Sequence, residues 1–264
     1  MKILFIGDIF GAIGRRVLAE NLSEIKNEFS IDLTIANGEN CAGGRGLTGN
    51  ILEKLHKYGV DIVTGGNHSL RDDEVYKSNK YYKTLLRPLN IPLNAPGNGK
   101  LIHEMPNGKK IGILNLHGRT FVKMKLDCPF VAGMNAVDEL RKITPLIFVD
   151  FHAEATSEKI CLAHYLDGKV GAFTGTHTHV QTSDERILKG GTAFITDAGM
   201  TGPEDSAIGM KQEAIIRKYI NNSHERFEPS KKGPMLNAVV FELDDDTGKA
   251  ISVERIYRRY IFDD

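Results

Sequence analysis

Side chains that can bind a metal ion follow five apolar stretches of this chain. They are Asp8, Glu39 with Asn40, Asn67 with His68, His152, and His177 with His179. Carboxylate and imidazole ligands together suit iron, manganese or zinc, and the absence of clustered cysteines argues against a structural zinc site. One carboxylate can also bridge two ions about 3.5–4 Å apart, an arrangement used for hydrolysis at phosphorus. These residue types therefore indicate metal-assisted hydrolysis.

Two of the histidines, His177 and His179, are only two positions apart. On an extended backbone their side chains would project to the same side, because side chains alternate with a period of two. The pair could then serve one metal ion or contribute one imidazole to each of two neighbouring ions. An ordinary surface rarely needs such a pair, so we expect it to belong to a site.

Three of these positions also have a purely structural interpretation. Asp8 could cap the helix that follows it, and Asn40 could simply tolerate a left-handed turn. A lone His152 beside a strand is more often a hydrogen-bonded core residue than a ligand. The five segments taken together favour a site, because polar side chains of these types cluster where chemistry is done.

The hydrophobic pattern predicts the elements that must position these residues. Strands are predicted at 2–7, 31–36, 60–64, 100–105, 110–116, 146–151, 169–174, 186–188, 192–195, 235–243 and 251–260. Helices are predicted at 11–29, 47–58, 72–79, 133–143, 156–166 and 211–220. Strands alternate with helices over the first third of the chain, which predicts parallel βαβ units, and 100–116 is predicted to be a hairpin. Ligands gather at the carboxyl ends of such strands, so the polar segments are expected to meet at one sheet edge.

Composition sets broader limits. The 264 residues include 34 basic and 34 acidic side chains, which gives no support for a long nucleic acid or a membrane surface as a partner. Three scattered cysteines indicate a reducing compartment without a disulfide framework. No stretch approaches the roughly 20 apolar residues of a membrane helix. We expect a cytoplasmic protein in which residues 1–264 form a single domain.

The longer segments around the polar residues resemble a known family. The motifs are Gly7-Asp8, Gly38-Glu39-Asn40, Gly66-Asn67-His68, Asp150-Phe151-His152 and Gly175-Thr176-His177-Thr178-His179. Their order is that of the calcineurin-like metallophosphoesterases. Segments 150–159, 176–182 and 196–203 look like signatures of one branch, the YmdB-type 2′,3′-cyclic-nucleotide phosphodiesterases. The resemblance covers essentially the whole chain.

This resemblance implies a fold and a site. The fold would be an α/β four-layer αββα sandwich, with two mixed sheets flanked by helices. A binuclear centre, most often of iron with manganese or zinc as alternatives, would lie at the sheet edge. One ion would take Asp8, Glu39, Asn40 and His179, and the other would take Glu39, Asn67, His152 and His177. Glu39 would bridge the two ions.

The implied activity is hydrolysis of small cyclic nucleotides, with 2′,3′-cyclic phosphates favoured and 3′,5′ as a further option. Hydroxide held by the metal ions would attack phosphorus, and His68 would give a proton to the leaving ribose oxygen. The chain departs from the wider superfamily at two positions. Phe10 replaces a common histidine ligand, and Glu39 replaces the usual bridging aspartate. Both departures agree with the YmdB-type branch.

Other interpretations of the same residues remain open. A phosphomonoesterase or nuclease would use the same ligands, and a regulatory protein could bind metal and nucleotide with little turnover. Arg45, within a glycine-rich turn, and Arg119 are candidates for substrate contact, while His117 at a strand end is undecided. The chain could self-associate, but no stretch of sequence identifies an interface.

Overall fold

The computed structural model describes residues 1–69, 74–92 and 94–262. Its strands are β1 (Lys2–Ile6), β2 (Asp8–Ile9), β3 (Leu33–Asn37), β4 (Ile62–Thr64), β5 (Lys100–Glu104), β6 (Lys110–His117), β7 (Ile147–His152), β8 (Ala172–Thr176), β9 (Arg186–Ile187), β10 (Ala193–Ile195), β11 (Met200–Pro203), β12 (Pro234–Leu243) and β13 (Ala250–Arg259). Its helices are α1 (Gly11–Phe29), α2 (Gly49–Tyr58), α3 (Glu74–Lys77), α4 (Pro129–Leu140), α5 (Thr156–Leu166) and α6 (Gln212–Asn221), with a 3₁₀ turn at Asn79–Tyr81.

The strands form two mixed sheets. The first has the order β2-β11-β12-β1-β3-β4, with β13 paired to β12, and the second has the order β5-β6-β7-β8-β10-β9. Strands β1, β3 and β4 are parallel, as are β6, β7 and β8. Strands β5 and β6 are antiparallel. The predicted parallel units of the first third and the predicted hairpin are therefore confirmed.

Strand β1 shows how the sequence sets the layers. Ile3 and Phe5 point into the space between the two sheets, whereas Leu4 and Ile6 point toward the helices on the outer face. The Phe5 ring lies 5.3 Å from the ring of Phe148 in the second sheet. A continuous apolar run is needed because a strand covered on both faces buries every side chain.

Helices cover the outer face of each sheet. Leu18 and Leu22 of α1 pack on the first sheet, and Leu140 of α4 and Leu162 of α5 pack on the second. The order from one side to the other is helices, sheet, sheet, helices, which confirms the predicted αββα sandwich. The single domain over residues 1–264 stays a prediction.

Some predicted bounds were wrong. Helix α4 begins at Pro129 instead of Gly133, because proline suits the first helical position, where no N–H bond is needed. Gly133 lies inside the helix, where a Cβ atom would be 3.0 Å from Leu116 Cδ1, so the helix packs closely on β6. The short strands β2 and β11 were not predicted. Of the predicted helix 72–79, residues 72 and 73 lie outside the described residues, and α3 covers Glu74–Lys77.

The structure also bears on the cysteines and on the apolar character of the helices. All three cysteines are free, with Cys41 buried and Cys161 exposed. Across the described ranges, none of the helices combines the length and the apolar character needed to span a bilayer.

Candidate metal centre

The five polar segments meet where the two sheets share an edge. Each segment lies at the carboxyl end of a parallel strand or just beyond it, after β1, β3 and β4 in the first sheet and at β7 and β8 in the second. Residues that are up to 169 positions apart in sequence, such as Asp8 and His177, are hydrogen-bonded there. The strand-end pattern in the sequence therefore predicted the convergence.

Three candidate ligand atoms surround one imidazole nitrogen. His152 Nε2 lies 3.1 Å from Glu39 Oε1, 3.1 Å from Asn67 Oδ1 and 2.9 Å from His177 Nδ1. The ligand atoms of Glu39, His152 and His177 are within 4.8 Å of one another. The resemblance implied that four residues would hold one of the two ions, and the fold brings all four together. They are Glu39, Asn67, His152 and His177.

The other implied set lies beside it. Asn40 Nδ2 lies 3.2 Å from Glu39 Oε1 and 3.1 Å from His179 Nε2. His179 Nδ1 donates to the Ile208 carbonyl at 2.9 Å, which leaves the Nε2 lone pair on the side of the site. Asp8 Oδ2 accepts the backbone N–H of His177 at 3.0 Å. The Asp8 carboxylate is buried, and its Oδ1 atom has no hydrogen-bond partner among the described residues.

These residues fit a divalent cation. A buried carboxylate oxygen without a donor is costly, and a cation would satisfy Asp8 Oδ1. The backbone also keeps space free for the cluster. A Cβ atom at Gly66 would lie 2.2 Å from Glu39 Oε2 and 2.4 Å from His152 Cδ2, so only glycine fits between these ligands. Oxygen and imidazole donors without thiolates are the set preferred by borderline metals.

The pKa values of the site show which positive charge a bound cation would replace. Burial favours the neutral form of Glu39, but His152 and His68 outweigh it and hold the pKa of Glu39 well below its ordinary value. Burial opposes charge on His152 as well, but Glu39 and Asp8 raise the pKa of His152 to about 9. Burial and the charge on His152 lower the pKa of His177 to about 2. A proton on His152 therefore offsets the negative charge of Glu39 in the metal-free site.

A buried relay fixes the orientation of His152. The Thr176 hydroxyl donates to Asp150 Oδ1 at 2.8 Å and therefore accepts the N–H of His152 Nδ1 at 2.9 Å. Asp150 Oδ2 accepts from Thr64 at 2.5 Å and from Asn37 at 3.1 Å, so this carboxylate joins the two sheets beneath the site. Outer hydrogen bonds of this kind set the ring orientation of metal-binding histidines. The relay directs Nε2 of His152 to the cluster.

The expectation of an extended backbone at the histidine pair was wrong. Strand β8 ends at Thr176, and His177 and His179 have φ angles of 103° and 66°. Side chains in such a turn do not follow the period of two, and the rings diverge. His177 lies beside His152, whereas His179 lies beside Asn40. The pair therefore contributes one imidazole to each of two neighbouring ligand sets.

Asp8 does not cap helix α1. The capping residue is Phe10, and no side chain accepts a hydrogen bond at that helix end. The carboxylate of Asp8 instead holds the turn that carries His177. The ring of Phe10 packs edge-on against the ring of His179, with the two centroids 5.7 Å apart.

His68 stands at the open side of the centre. Its backbone N–H donates to Glu39 Oε2 at 3.1 Å, and its Nδ1 is 3.1 Å from Asn40 Oδ1. The side chain is 30% exposed and lines a cavity of about 550 Å³. A ligand in that cavity would meet the second ring nitrogen of His68.

The two arginines suggested by the sequence lie in different places. Arg45 lines the 550 Å³ cavity together with His68, His177 and His179. Arg119 lines another cavity, next to Glu158, and none of the eight residues of the implied metal and proton-donor set lines that one. The backbone N–H of Arg119 donates to the Glu158 carboxylate at 2.9 Å.

Two residues of this region had no predicted role. Glu154 Oε2 lies 3.0 Å from His177 Nε2, which leaves Nδ1 of that ring to face the cluster. His117 ends strand β6, and its buried ring lies 5.4 Å from the ring of His152. The sequence placed His117 at a strand end but left its role undecided. For Glu154 the signal was its place in the segment 150–159.

Comparisons with known proteins identify the family of this chain. The model of the YmdB-like protein family matches residues 4–256. The 2′,3′-cyclic-nucleotide 2′-phosphodiesterase of Bacillus subtilis strain 168 is 46% identical over 97% of this chain and 96% of its own length. Among solved structures, a Mycoplasma pneumoniae phosphatase is 39% identical with a TM-score of 0.91, covering 98% of this chain and 93% of its own. A hypothetical protein from Thermus thermophilus is 36% identical with a TM-score of 0.90, covering 98% and 99%. The chain belongs to the YmdB-like protein family.

Proposed function

We propose that this protein is a metal-dependent phosphodiesterase that hydrolyses small cyclic nucleotides, with 2′,3′-cyclic nucleotides as the preferred substrates. The observation that carries the proposal is the approach of Glu39, Asn67 and His177 to His152 Nε2 at the base of a small cavity. The name of the Bacillus subtilis relative supports the substrate class. A cavity of about 550 Å³ is of the size that holds a small molecule.

Two divalent ions would occupy the centre, with iron favoured and manganese or zinc as alternatives. Asp8, Glu39, Asn40 and His179 would hold one ion, and Glu39, Asn67, His152 and His177 would hold the other. When bound, the ions would supply positive charge to the phosphate oxygens and would make a water molecule more acidic.

The residues around the centre would have separate roles in binding and proton transfer. Asp150 and Thr176 keep His152 in one tautomer and one orientation. Asn40 holds the Nδ1 side of His68, so that Nε2 of His68 is the atom that gives a proton to the ribose oxygen as its bond to phosphorus breaks. A water molecule supplies the new oxygen on phosphorus. Arg45, on the cavity wall, would pair with the charge of the phosphate.

The test is hydrolysis of 2′,3′-cyclic AMP by protein loaded anaerobically with iron or manganese. Glu39→Gln keeps the shape of the side chain but removes its charge, so we expect loss of metal and a fall in turnover of at least about 100-fold. Glu254→Gln, an exposed change on β13, is the matched control and should retain both. No turnover by the wild type with metal verifiably bound would refute the proposal. Nucleotide binding without hydrolysis would favour a regulatory role, and hydrolysis of monoesters alone would favour a phosphomonoesterase.

A further inference from the structure

The cavity next to the candidate metal ligands is lined by two kinds of side chain. Polar groups of the centre, including Glu39, His68 and His179, form one part of the lining. Four apolar or aromatic side chains, Ile208, Ile215, Tyr219 and Phe227, form another part, which we call the apolar wall. The metal centre accounts for the phosphate of a nucleotide, but it offers nothing to a flat aromatic base. The apolar wall supplies a surface of that kind.

Most of the apolar wall comes from one chain excursion, residues 211–228, which we call the flap. The flap closes on itself where the Lys211 backbone N–H donates to the Glu228 carbonyl at 2.8 Å, and the two side chains pair at 2.7 Å. Helix α6 lies in the flap, and among its residues only Ala214 is buried. Tyr219 is 82% exposed, so its ring is available to a ligand at the mouth of the cavity.

Ile208 connects the apolar wall to the metal centre. Its carbonyl accepts the hydrogen bond from Nδ1 of His179, while its side chain lines the cavity. Its φ angle is +46°, which a β-branched residue rarely adopts, so the surrounding structure holds it in place. An apolar surface therefore begins next to a metal ligand. A nucleotide bound through its phosphate could reach this surface with its base.

We infer that the flap forms the base-binding subsite of the enzyme, with the nucleobase lying against Tyr219 and Phe227. This inference rests on the proposed function, because it assumes that the phosphate binds at the metal centre. Aromatic rings stack on any base. Lys218 Nζ lies 5.2 Å from the centroid of the Phe227 ring and contacts one face of it. A second, larger groove of about 1090 Å³ also borders the flap, but among the described residues its lining contains neither an aromatic ring nor any residue of the metal centre.

The test separates binding of the base from binding of the phosphate. Isothermal titration calorimetry on metal-loaded protein would compare adenosine 3′-monophosphate with ribose 3-phosphate, which lacks the base. We expect Tyr219→Ala to raise the Kd of the nucleotide about tenfold, in line with the usual strength of base stacking, and to leave the Kd of ribose 3-phosphate within about twofold. Phe227→Leu, which keeps an apolar side chain, should weaken nucleotide binding in the same selective way. Tyr82→Ala, at an exposed tyrosine that does not line the cavity, is the control and should change neither value.

Equal affinity of the wild type for the two ligands would overturn the inference, and so would a Tyr219→Ala variant that weakens both equally. A change in sedimentation mass caused by Tyr219→Ala, without a base-dependent loss of affinity, would assign the ring to contact between copies and would also overturn it. Base-dependent binding by a wild type that hydrolyses no cyclic nucleotide would support the subsite while refuting the proposed function.

Discussion

The ammonium group of Lys159 lies 2.6 Å from Asp197 Oδ2, and both side chains are buried. The same carboxylate accepts the backbone N–H of Thr178, the residue between His177 and His179, at 3.1 Å. The Lys159 side chain also packs closely against Gly175, just before the turn, because a Cβ atom at Gly175 would lie 2.8 Å from Lys159 Cδ. The ion pair therefore holds the turn that carries two of the candidate metal ligands.

Replacing Lys159 by methionine keeps much of the volume but leaves the Asp197 charge buried and uncompensated. We expect the free energy of unfolding to fall by about 3–5 kcal/mol, the usual cost of breaking a buried pair. Urea denaturation of the metal-free protein measures this loss. Lys80→Met, which breaks an exposed pair with Glu53, is the control and should change the free energy of unfolding far less, because water screens that pair.

A second variant separates the charge of Asp197 from its role as an acceptor. Asp197→Asn in the Lys159→Met background removes the unpaired charge while an amide oxygen can still accept the Thr178 N–H. We expect this double variant to be more stable than Lys159→Met alone and to bind metal more tightly. Equal losses for Lys159→Met and Lys80→Met would show that the buried pair does not hold the turn.

Most residues of the candidate site could be predicted from the sequence because one rule applies to them. Polar residues that follow apolar runs mark the carboxyl ends of parallel strands, and the fold brings those ends together. The rule worked for Asn67 and His152 without knowledge of strand order. It also pointed to His117, which ends β6 in the same way, but it could not assign that residue a role.

The parts that sequence reasoning missed depend on tertiary contacts. Helix α5 was predicted with its observed bounds, but a lysine in a helix is normally exposed, and nothing in its spacing indicates that Lys159 is buried against Asp197. The left-handed backbone at His177 and His179 is stabilised by Asp8 and Asp197, which are remote in sequence. Strand β11 is only four residues long and contains glycine and proline, so its pattern carries no strand signal.

Gly66→Ala tests the fit of the ligands around one backbone position. The added methyl group would lie 2.2 Å from Glu39 Oε2 and 2.5 Å from His152 Nε2, so one of these ligands must move. We expect metal affinity to fall by about 10- to 100-fold, the range seen when the support of a metal ligand is disturbed. Metal titration of the purified variant measures it. Gly49→Ala, where the new atom would meet only the hydroxyl end of Tyr81 at 3.1 Å, should bind metal as the wild type does.

Asp184 makes the stability of the protein sensitive to acid. Burial would raise its pKa, but hydrogen bonds from Thr196, Thr182 and Arg186 outweigh it and lower the pKa below the ordinary value of 3.8. A depressed pKa in the folded state stabilises the fold above pH 3.8, and this stabilisation is lost as the pH falls through the lowered pKa. Because Asp184 holds the residue before Asp197, its protonation would loosen the same turn.

The expected result is that Asp184→Asn lowers the free energy of unfolding at neutral pH by no more than about 1 kcal/mol, because water screens the partly exposed carboxylate. The substitution should also make the decline of that free energy below about pH 4 less steep. Chemical denaturation of the metal-free protein at a series of pH values checks both effects. Asp246→Asn, in the turn between β12 and β13, is the control and should leave the acid dependence unchanged. A parallel acid decline in wild type and Asp184→Asn would contradict the assignment.

His68→Ala separates proton donation from metal binding. The contact of residue 68 with Glu39 Oε2 is made by the backbone N–H, which alanine retains, so the variant should keep its metal. The ring that faces the cavity is lost, and we expect kcat for 2′,3′-cyclic AMP to fall by about 10²- to 10⁴-fold. Metal content and steady-state kinetics measured on the same preparation check both statements, with His103→Ala on β5 as the control.

A substrate whose leaving group needs no proton, such as a p-nitrophenyl phosphodiester, should recover most of the lost rate, because its phenolate leaves unprotonated near neutral pH. A variant that has lost its metal, or one that is equally slow on both substrates, would show that His68 supports the centre instead of donating the proton.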